Sequence, residues 1–125
     1  MSHTLNKTLL LLSLSFFGLL SVHTTVSAQE PFYKGKTVRV VVGFSAGGGF
    51  DTYSRSLARH MGKYIPGNPT FIVENMPGAG SLIAANHLFK VAKPDGLTLG
   101  IFNGNQILAQ LLGGQGIEFD ARRFE

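Results

Sequence analysis

The chain has 125 residues, no cysteine and a formal net charge of +4 at neutral pH. Without cysteine it can form neither a disulfide framework nor a thiolate metal site. Its basic residues are scattered, and no run of them is long enough to predict a nucleic-acid surface. A mildly positive field favours anionic solutes, although ordinary solvated surface charge explains the same composition.

The first 28 residues have the pattern of a signal peptide. A short polar start precedes the apolar run Thr8–Leu20, and Val26 and Ala28 then place small residues at the two positions that a signal peptidase reads. The apolar run is shorter than the ~20 residues that a spanning helix needs, and two serines interrupt it. We therefore predict export to the periplasm with cleavage after Ala28. Residues 29–125 then form one small domain at most.

The mature part alternates strand and helix patterns. Thr37–Val42 is almost continuously β-branched, which is typical of a strand buried on both faces of a parallel sheet. A helix is predicted over about 50–64, and Tyr53, Met61 and Tyr64 are expected in the core because they recur at helical spacing. The further elements predicted are a strand over Thr70–Glu74, a helix over Ser81–Ala92, a strand over Leu97–Phe102 and a short helix over Gln106–Leu112.

This β-α-β-α-β pattern predicts an α/β fold with a parallel sheet in the order 2-1-3. The helices should then lie on opposite faces, and a crevice should open at the carboxyl ends of strands one and three. The topology therefore places Phe44–Asp51 and Asn103–Asn105 on the lip of one cleft.

The strongest local feature is the turn Ser45–Asp51, with three consecutive glycines between a strand and a helix. Glycines allow a close backbone approach, and the free N–H groups of a helix start attract a carboxylate or a phosphate. A tight turn that binds nothing is the alternative. Asp51 either balances the helix dipole, pairing with Arg55 four residues on, or accepts a hydrogen bond from a ligand.

A second glycine-rich turn, Asn75–Ser81, also joins a strand to a helix. Ser81 or Gly80 is expected to cap that helix. Its predicted inward residues are Leu82, Ala85, Leu88 and Phe89. Two such helix starts in one small unit support anion binding more strongly than one helix start would. The competing interpretation is that both turns are purely structural.

An enzymatic alternative comes from Gly43–Gly47, which matches the G-x-S-x-G elbow of acyl hydrolases with Ser45 as nucleophile. That chemistry needs an acid and then a histidine later in the chain, but His87, the last histidine, lies inside a predicted helix. The dinucleotide and P-loop patterns fail at their required residues. His60 and His87 lie in separate helices without a carboxylate at ligand spacing, so no metal, cofactor or catalytic residue is predicted.

The ordered motifs resemble the tripartite tricarboxylate transporter receptors, also called Bug or TctC proteins. The resemblance covers essentially Pro31–Gly116. It is carried by Phe32–Thr52, Ala58-Arg59-His60, Tyr64–Pro69, Asn75–Ser81, Ala84-Ala85-Asn86 and Pro94–Gly100.

The resemblance implies a periplasmic-binding-protein-like receptor of two lobes, which captures a small carboxylated solute and delivers it to membrane permease subunits. It makes Ser45–Asp51 the first ligand loop and puts the second turn beside the same cleft. Topology and resemblance together give the candidate ligand-binding residues Phe44, Ser45, Ala46, Gly47, Gly48, Gly49, Asp51, Asn75, Gly78, Gly80, Ser81 and Asn103.

Members of that family are much longer than this chain. We therefore expect residues 29–125 to be an incomplete, truncated N-terminal lobe that lacks the returning strands and the second lobe and cannot close on a ligand. The sheet edges would then be uncovered. The alternatives are a serine acyl hydrolase using Ser45 and a remnant that binds nothing.

Overall fold

A computed structural model describes residues 29–124. The predicted signal peptide, residues 1–28, lies outside the described residues. The strands are β1 (Thr37–Val42), β2 (Thr70–Asn75) and β3 (Thr98–Ile101). The helices are α1 (Gly49–Met61), α2 (Leu82–Lys90) and α3 (Asn105–Leu111), with single 3-10 turns at Gly62–Tyr64, Ala79–Ser81 and Ala121–Arg123.

The three strands form one parallel sheet in the order β2-β1-β3, which confirms the predicted α/β fold and strand order. Val40 lies opposite Val73 of β2 and Leu99 of β3. The crossovers contain α1 and α2, as a parallel connection requires.

The buried core is concentrated in β1. Within residues 29–124, four of the seven buried apolar residues lie on this strand: Val38, Val40, Val41 and Val42. A strand with a neighbour on each edge and a helix packed on each face of the sheet is enclosed on all sides, and β-branched side chains fit that environment. The central strand therefore organises the unit.

The two crossover helices lie on opposite faces of the sheet. Val40 lines a space beside Ser54 of α1, whereas a Cβ on Gly43 would lie 3.1 Å from the Cβ of Ala84 of α2. Val40 and Gly43 are three positions apart, and side chains alternate between faces along a strand. The connections that leave the carboxyl ends of β1 and β3 consequently diverge to opposite sides of the sheet.

The predicted core face of α1 is wrong for Tyr53 and Tyr64. These side chains are 64% and 76% exposed, and the helix instead buries Asp51 and Ser54. The Ser54 hydroxyl donates to the Phe50 carbonyl, 2.6 Å away, and the Asp51 carboxylate has partners beyond the helix. Small polar side chains whose hydrogen bonds are satisfied therefore occupy the inward face of the helix, and the two tyrosines point outward.

Helix α2 is shorter than predicted, and Ser81 does not cap it with its side chain. Ser81 has the left-handed φ of +74°, and its buried hydroxyl accepts from the Asn103 amide, 2.7 Å away. Ala84 and Ala85 are fully buried, which brings the helix close to the sheet. The serine therefore connects α2 to the end of β3.

The segment after α3 had no predicted structure, and it folds back on α2. The Asn86 amide donates to the Gly116 carbonyl, and its oxygen accepts from the Glu118 amide. A phenylalanine cluster, in which neighbouring ring centroids lie 5.6–6.2 Å apart, joins the segment to α2 and β3. Its members are Phe89, Phe102, Phe119 and Phe124.

No helix within residues 29–124 is long and apolar enough to cross a membrane.

Candidate functional site

The predicted site residues meet at the carboxyl edge of the sheet. We call residues 43–49 the first glycine loop and residues 76–81 the second glycine loop. The Asn75 amide donates to the Phe44 carbonyl, 3.0 Å away, which joins the first loop to the end of β2. The Ser81 hydroxyl joins the second loop to Asn103 after β3. One edge therefore gathers the ends of all three strands.

Asp51 fixes the first glycine loop through a buried hydrogen-bond network. Its carboxylate accepts from the Gly47 amide at 2.8 Å, from the Asn75 side chain at 2.9 Å and from the Arg55 guanidinium at 3.0 Å. Arg55 also donates to the Asn75 oxygen, 3.0 Å away. We call Asp51, Arg55 and Asn75 the clamp.

The clamp keeps the Asp51 carboxylate ionised. The hydrogen bond from Arg55 is the main cause, followed by those from Gly47 and Asn75, and together they lower the pKa of Asp51 from 3.8 to about 2. Hydrogen bonds to the charged form favour that form. The carboxylate is buried and its charge is paired, so Asp51 holds the loop and does not present a free carboxylate to solvent.

The first glycine loop also carries amides without an internal partner. The Gly47 amide is taken by Asp51, and the Gly48 amide makes a long 3.3 Å hydrogen bond to the Ser45 carbonyl. The amides of Ala46, Gly49 and Phe50 have no acceptor within residues 29–124. Residues 45–49 are exposed, so these donors lie at an accessible helix start.

Phe44 and Phe50 border the first glycine loop as a stacked pair. Their ring centroids lie 4.1 Å apart at an interplanar angle of 12°. Phe44 is half-buried, whereas Phe50 is 51% exposed and presents an apolar face next to the free amides. Phe44 is among the predicted ligand-binding residues, whereas Phe50 lies within the predicted ligand loop Ser45–Asp51 but was not itself a candidate.

The second glycine loop is built from left-handed residues. The φ angles are +138° at Gly78, +46° at Ala79, +61° at Gly80 and +74° at Ser81. Such angles are unfavourable for alanine and serine, so tertiary contacts must hold the loop in place. Gln106 of α3 supplies one, because its amide donates to the Gly80 carbonyl, 2.9 Å away. Gln106 could not be predicted as part of this loop, since nothing local in the sequence connects it to residues 78–81.

The predicted residues fall into two groups by accessibility. Ser45, Ala46, Gly47, Gly48, Gly49 and Gly80 are exposed. Asp51 and Ser81 are buried, and Phe44, Asn75, Gly78 and Asn103 are half-buried. The open donors therefore come from the first glycine loop, while the side chains of Asp51, Asn75 and Ser81 connect the loops to the sheet.

Ser45 lacks the partners that a nucleophile needs. Within residues 29–124 its hydroxyl makes no hydrogen bond to a histidine or a carboxylate. His60 is near the far end of α1, about 15 Å along the helix axis from its start. Among the same described residues, no group of three or more histidine and carboxylate side chains is placed to hold a metal ion.

The fold defines an open-sheet α/β protein whose candidate ligand-binding residues lie at the carboxyl ends of its strands. No family model matches the chain. Over 72 residues, 58% of the chain, it is 42% identical to the UPF0065 protein in the gbd 5' region of Cupriavidus necator. Over 82 residues, 66% of the chain, it is 34% identical to a UPF0065 protein of Bordetella bronchiseptica. The chain is similar to proteins of the UPF0065 family, which is the Bug or TctC family, and the predicted resemblance is confirmed.

The aligned part covers 21% and 23% of these two relatives, so the chain spans about a fifth of their length.

Proposed function

We propose that this chain is part of an extracytoplasmic receptor that captures a small carboxylated metabolite for a tripartite tricarboxylate-type transporter. Similarity to two UPF0065 proteins supports a Bug-type solute receptor. In this proposal, residues 1–28 direct export and are removed after Ala28. Residues 29–125 then act in the periplasm as an incomplete N-terminal lobe, and membrane permease subunits receive the solute.

One observation carries the proposal, namely the free amides of the first glycine loop. Ala46, Gly49 and Phe50 offer N–H groups at and just before the start of a 13-residue helix, and within residues 29–124 no side chain accepts a hydrogen bond from them. A Cβ on Gly49 would meet nothing within 4 Å. Amide donors aligned with a helix dipole bind an anion without needing a cationic side chain.

The clamp reduces the repulsion that Asp51 would otherwise exert on an anion bound at the first glycine loop. Asp51 lies in the first turn of α1, where its negative charge would repel a carboxylate. Arg55 neutralises that charge in a salt bridge at 3.0 Å, and Asp51 is 3% exposed. An anion at the loop therefore faces the amide donors and a paired carboxylate.

The proposed role is capture without turnover. Ser45 is exposed at the loop, but its hydroxyl has no base within hydrogen-bond distance among residues 29–124. Serine needs such a base to attack an acyl group. The Ser45 hydroxyl, the two loops and Asn103 are proposed to line the ligand.

The test is an NMR titration of the mature chain, labelled with ¹⁵N, with citrate, glutamate, benzoate and inorganic phosphate. An exposed helix terminus contributes only about 0.3–1 kcal/mol towards an anion, so we expect weak, roughly millimolar affinity. At least one carboxylate should shift the amides of Ala46, Gly49 and Phe50 saturably. Shifts spread evenly over the lysines and arginines, with none at the loop, would contradict the proposal.

The matched variants are Gly49→Val and Ser56→Val, both on α1. The first adds a side chain in front of the free amides and should weaken binding roughly fivefold, equivalent to about 1 kcal/mol. Ser56 is exposed about two turns further along the helix, so its replacement should leave the affinity unchanged. Equal losses in both variants would indicate an effect on helix stability only.

A further inference from the structure

The turn between β3 and α3 contains Asn103-Gly104, the one asparagine–glycine pair in the sequence. The backbone nitrogen that follows an asparagine can attack the carbon of its side-chain amide, and glycine shields that nitrogen least because it has no Cβ. Gly104 is exposed, and a Cβ placed on it would meet nothing within 4 Å. Water and dissolved base therefore reach the Gly104 nitrogen.

The Asn103 side chain is folded back over this nitrogen. Its Oδ1 accepts a hydrogen bond from the Asn105 amide, 3.0 Å away, which closes an Asx turn. The Gly104 nitrogen and the Asn103 Cγ both belong to the ring that this hydrogen bond closes, so the two atoms are held next to each other. Reacting atoms that are already in contact lose little further entropy on the way to the transition state.

The hydrogen bonds around the pair suit each part of such an attack. Within residues 29–124 the Gly104 N–H has no acceptor, so losing its proton breaks no hydrogen bond. Attack moves negative charge onto the Asn103 Oδ1, where the Asn105 amide already donates, and a donor placed where charge develops stabilises the transition state. Among the same residues the side-chain nitrogen of Asn103, the leaving group, donates to no acceptor.

The other asparagines of the described chain are placed differently. Asn68 precedes a proline, which has no N–H to lose. The side-chain nitrogen of Asn75 donates to Phe44 and Asp51, and that of Asn86 donates to the Gly116 carbonyl. Each of these two amides therefore gives up hydrogen bonds if its nitrogen leaves, and neither is followed by glycine.

We propose that Asn103-Gly104 is a site of self-catalysed deamidation, which the turn before α3 promotes. The Gly104 nitrogen loses its proton to dissolved base and forms a bond to the Asn103 Cγ. The bond from Cγ to the side-chain nitrogen breaks, and that nitrogen takes a proton from water and leaves as ammonia. Water then opens the cyclic imide at either carbonyl, which leaves aspartate or isoaspartate at position 103. Water is the only co-reactant, and no atom changes its oxidation state.

The modification adds a carboxylate at the carboxyl edge of the sheet. The Asn103 backbone amide donates to the Ser81 hydroxyl, 2.7 Å away, so position 103 is fixed beside the second glycine loop. An aspartate there can still accept from the Asn105 amide, and its charge lies at the start of α3, which the helix dipole favours. The same charge repels an anion at this edge, and this last consequence rests on the proposed function.

The test follows deamidation of the mature chain in mildly alkaline buffer, folded and in guanidinium chloride, by peptide mapping with mass spectrometry. Position 103 should convert at least twofold faster in the folded chain, because unfolding removes the Asx turn and the Asn105 donor. Asn86 should stay unmodified in the folded chain and is the internal control. An equal or slower rate at position 103 in the folded chain would overturn the proposal.

Two neighbouring variants separate the attacking nitrogen from the rest of the turn. Gly104 has a φ of −57°, which alanine adopts freely, so Gly104→Ala should keep the turn but shield the nitrogen and slow the reaction at least tenfold. Asn105→Ala keeps the donating N–H and should react at the wild-type rate. Equal slowing in both variants would contradict the proposed geometry. The rates are measured without any anion, so failure of carboxylate binding would leave this result unaffected.

Discussion

Asp51 is an acid whose function in the described structure is to hold backbone and side-chain donors together. It accepts from Gly47, Arg55 and Asn75, residues that lie on a loop, a helix and a strand end. A glycine loop of this composition has many accessible conformations in isolation. The clamp selects one of them, and it leaves the neighbouring amides facing outward.

Acid should weaken the clamp in a defined pH range. The pKa of Asp51 is about 2 in the folded protein and 3.8 in an ordinary aspartate, so between these values the unfolded chain binds protons that the native state does not. The stability from Asp51 is fully present above about pH 4 and is lost as the pH falls towards 2. The lowered pKa values of Glu74 and Asp120 act in the same direction.

We expect the Gly47 amide signal in NMR to titrate with an apparent midpoint near 2, because that amide donates directly to the carboxylate. In Asp51→Asn this transition should disappear, and urea unfolding should depend less steeply on pH between 4 and 2. A midpoint near 4 in the wild type would show that the hydrogen bonds do not stabilise the charged form.

At the scale of elements, the second glycine loop is held in backbone conformations that its non-glycine residues disfavour. Ala79 has a φ of +46°, which costs an L-residue roughly 1–2 kcal/mol. Ala79→Gly removes that cost but adds freedom to the unfolded chain, so we expect the free energy of unfolding to rise by up to about 1 kcal/mol. Ala58→Gly, within α1, should lower it by about 1 kcal/mol. Urea denaturation of both variants shows whether the free energy of unfolding rises in the first and falls in the second.

The contact between the first and second glycine loops depends on the absence of a side chain at Gly43. A Cβ on Gly43 would lie 2.5 Å from the Ser81 Cβ and 3.1 Å from the Ala84 Cβ. Gly43→Ala should therefore force α2 away from the sheet and cost about 1–3 kcal/mol. Gly49→Ala has open space around it and serves as the control in thermal unfolding. Equal melting temperatures would show that the close packing is not required.

Local sequence patterns predict the helices and strands better than they predict the tertiary contacts between them. The β-branched run of β1 identifies a buried strand because that composition suits no other environment. The face of α1 could not be predicted in the same way, since one of the donors that accompany the buried Asp51 is Asn75, 24 positions away in the chain. The glycine turns could be predicted from the sequence as candidate anion sites, but the contact of Gln106 and the left-handed conformation of Ser81 depend on tertiary structure.

For the whole molecule, stability rests largely on one strand. Val41 is fully buried at the centre of β1, whereas Val91, just after α2, is 66% exposed. Val41→Ala should cost roughly 2 kcal/mol, which is a large fraction of the stability of a unit this small. Val91→Ala should change the free energy of unfolding by less than about 0.5 kcal/mol. Similar losses in urea denaturation would show that β1 is not the dominant core element.

The clamp also has a consequence for the energetics of association. A flexible loop must lose conformational entropy when it receives a partner, and that loss reduces affinity. The first glycine loop is already fixed before any partner arrives, because Asp51 and Asn75 connect it to α1 and β2. An anion that reaches the amides of Gly49 and Phe50 thus meets a preorganised surface, and most of the ordering cost has been met during folding.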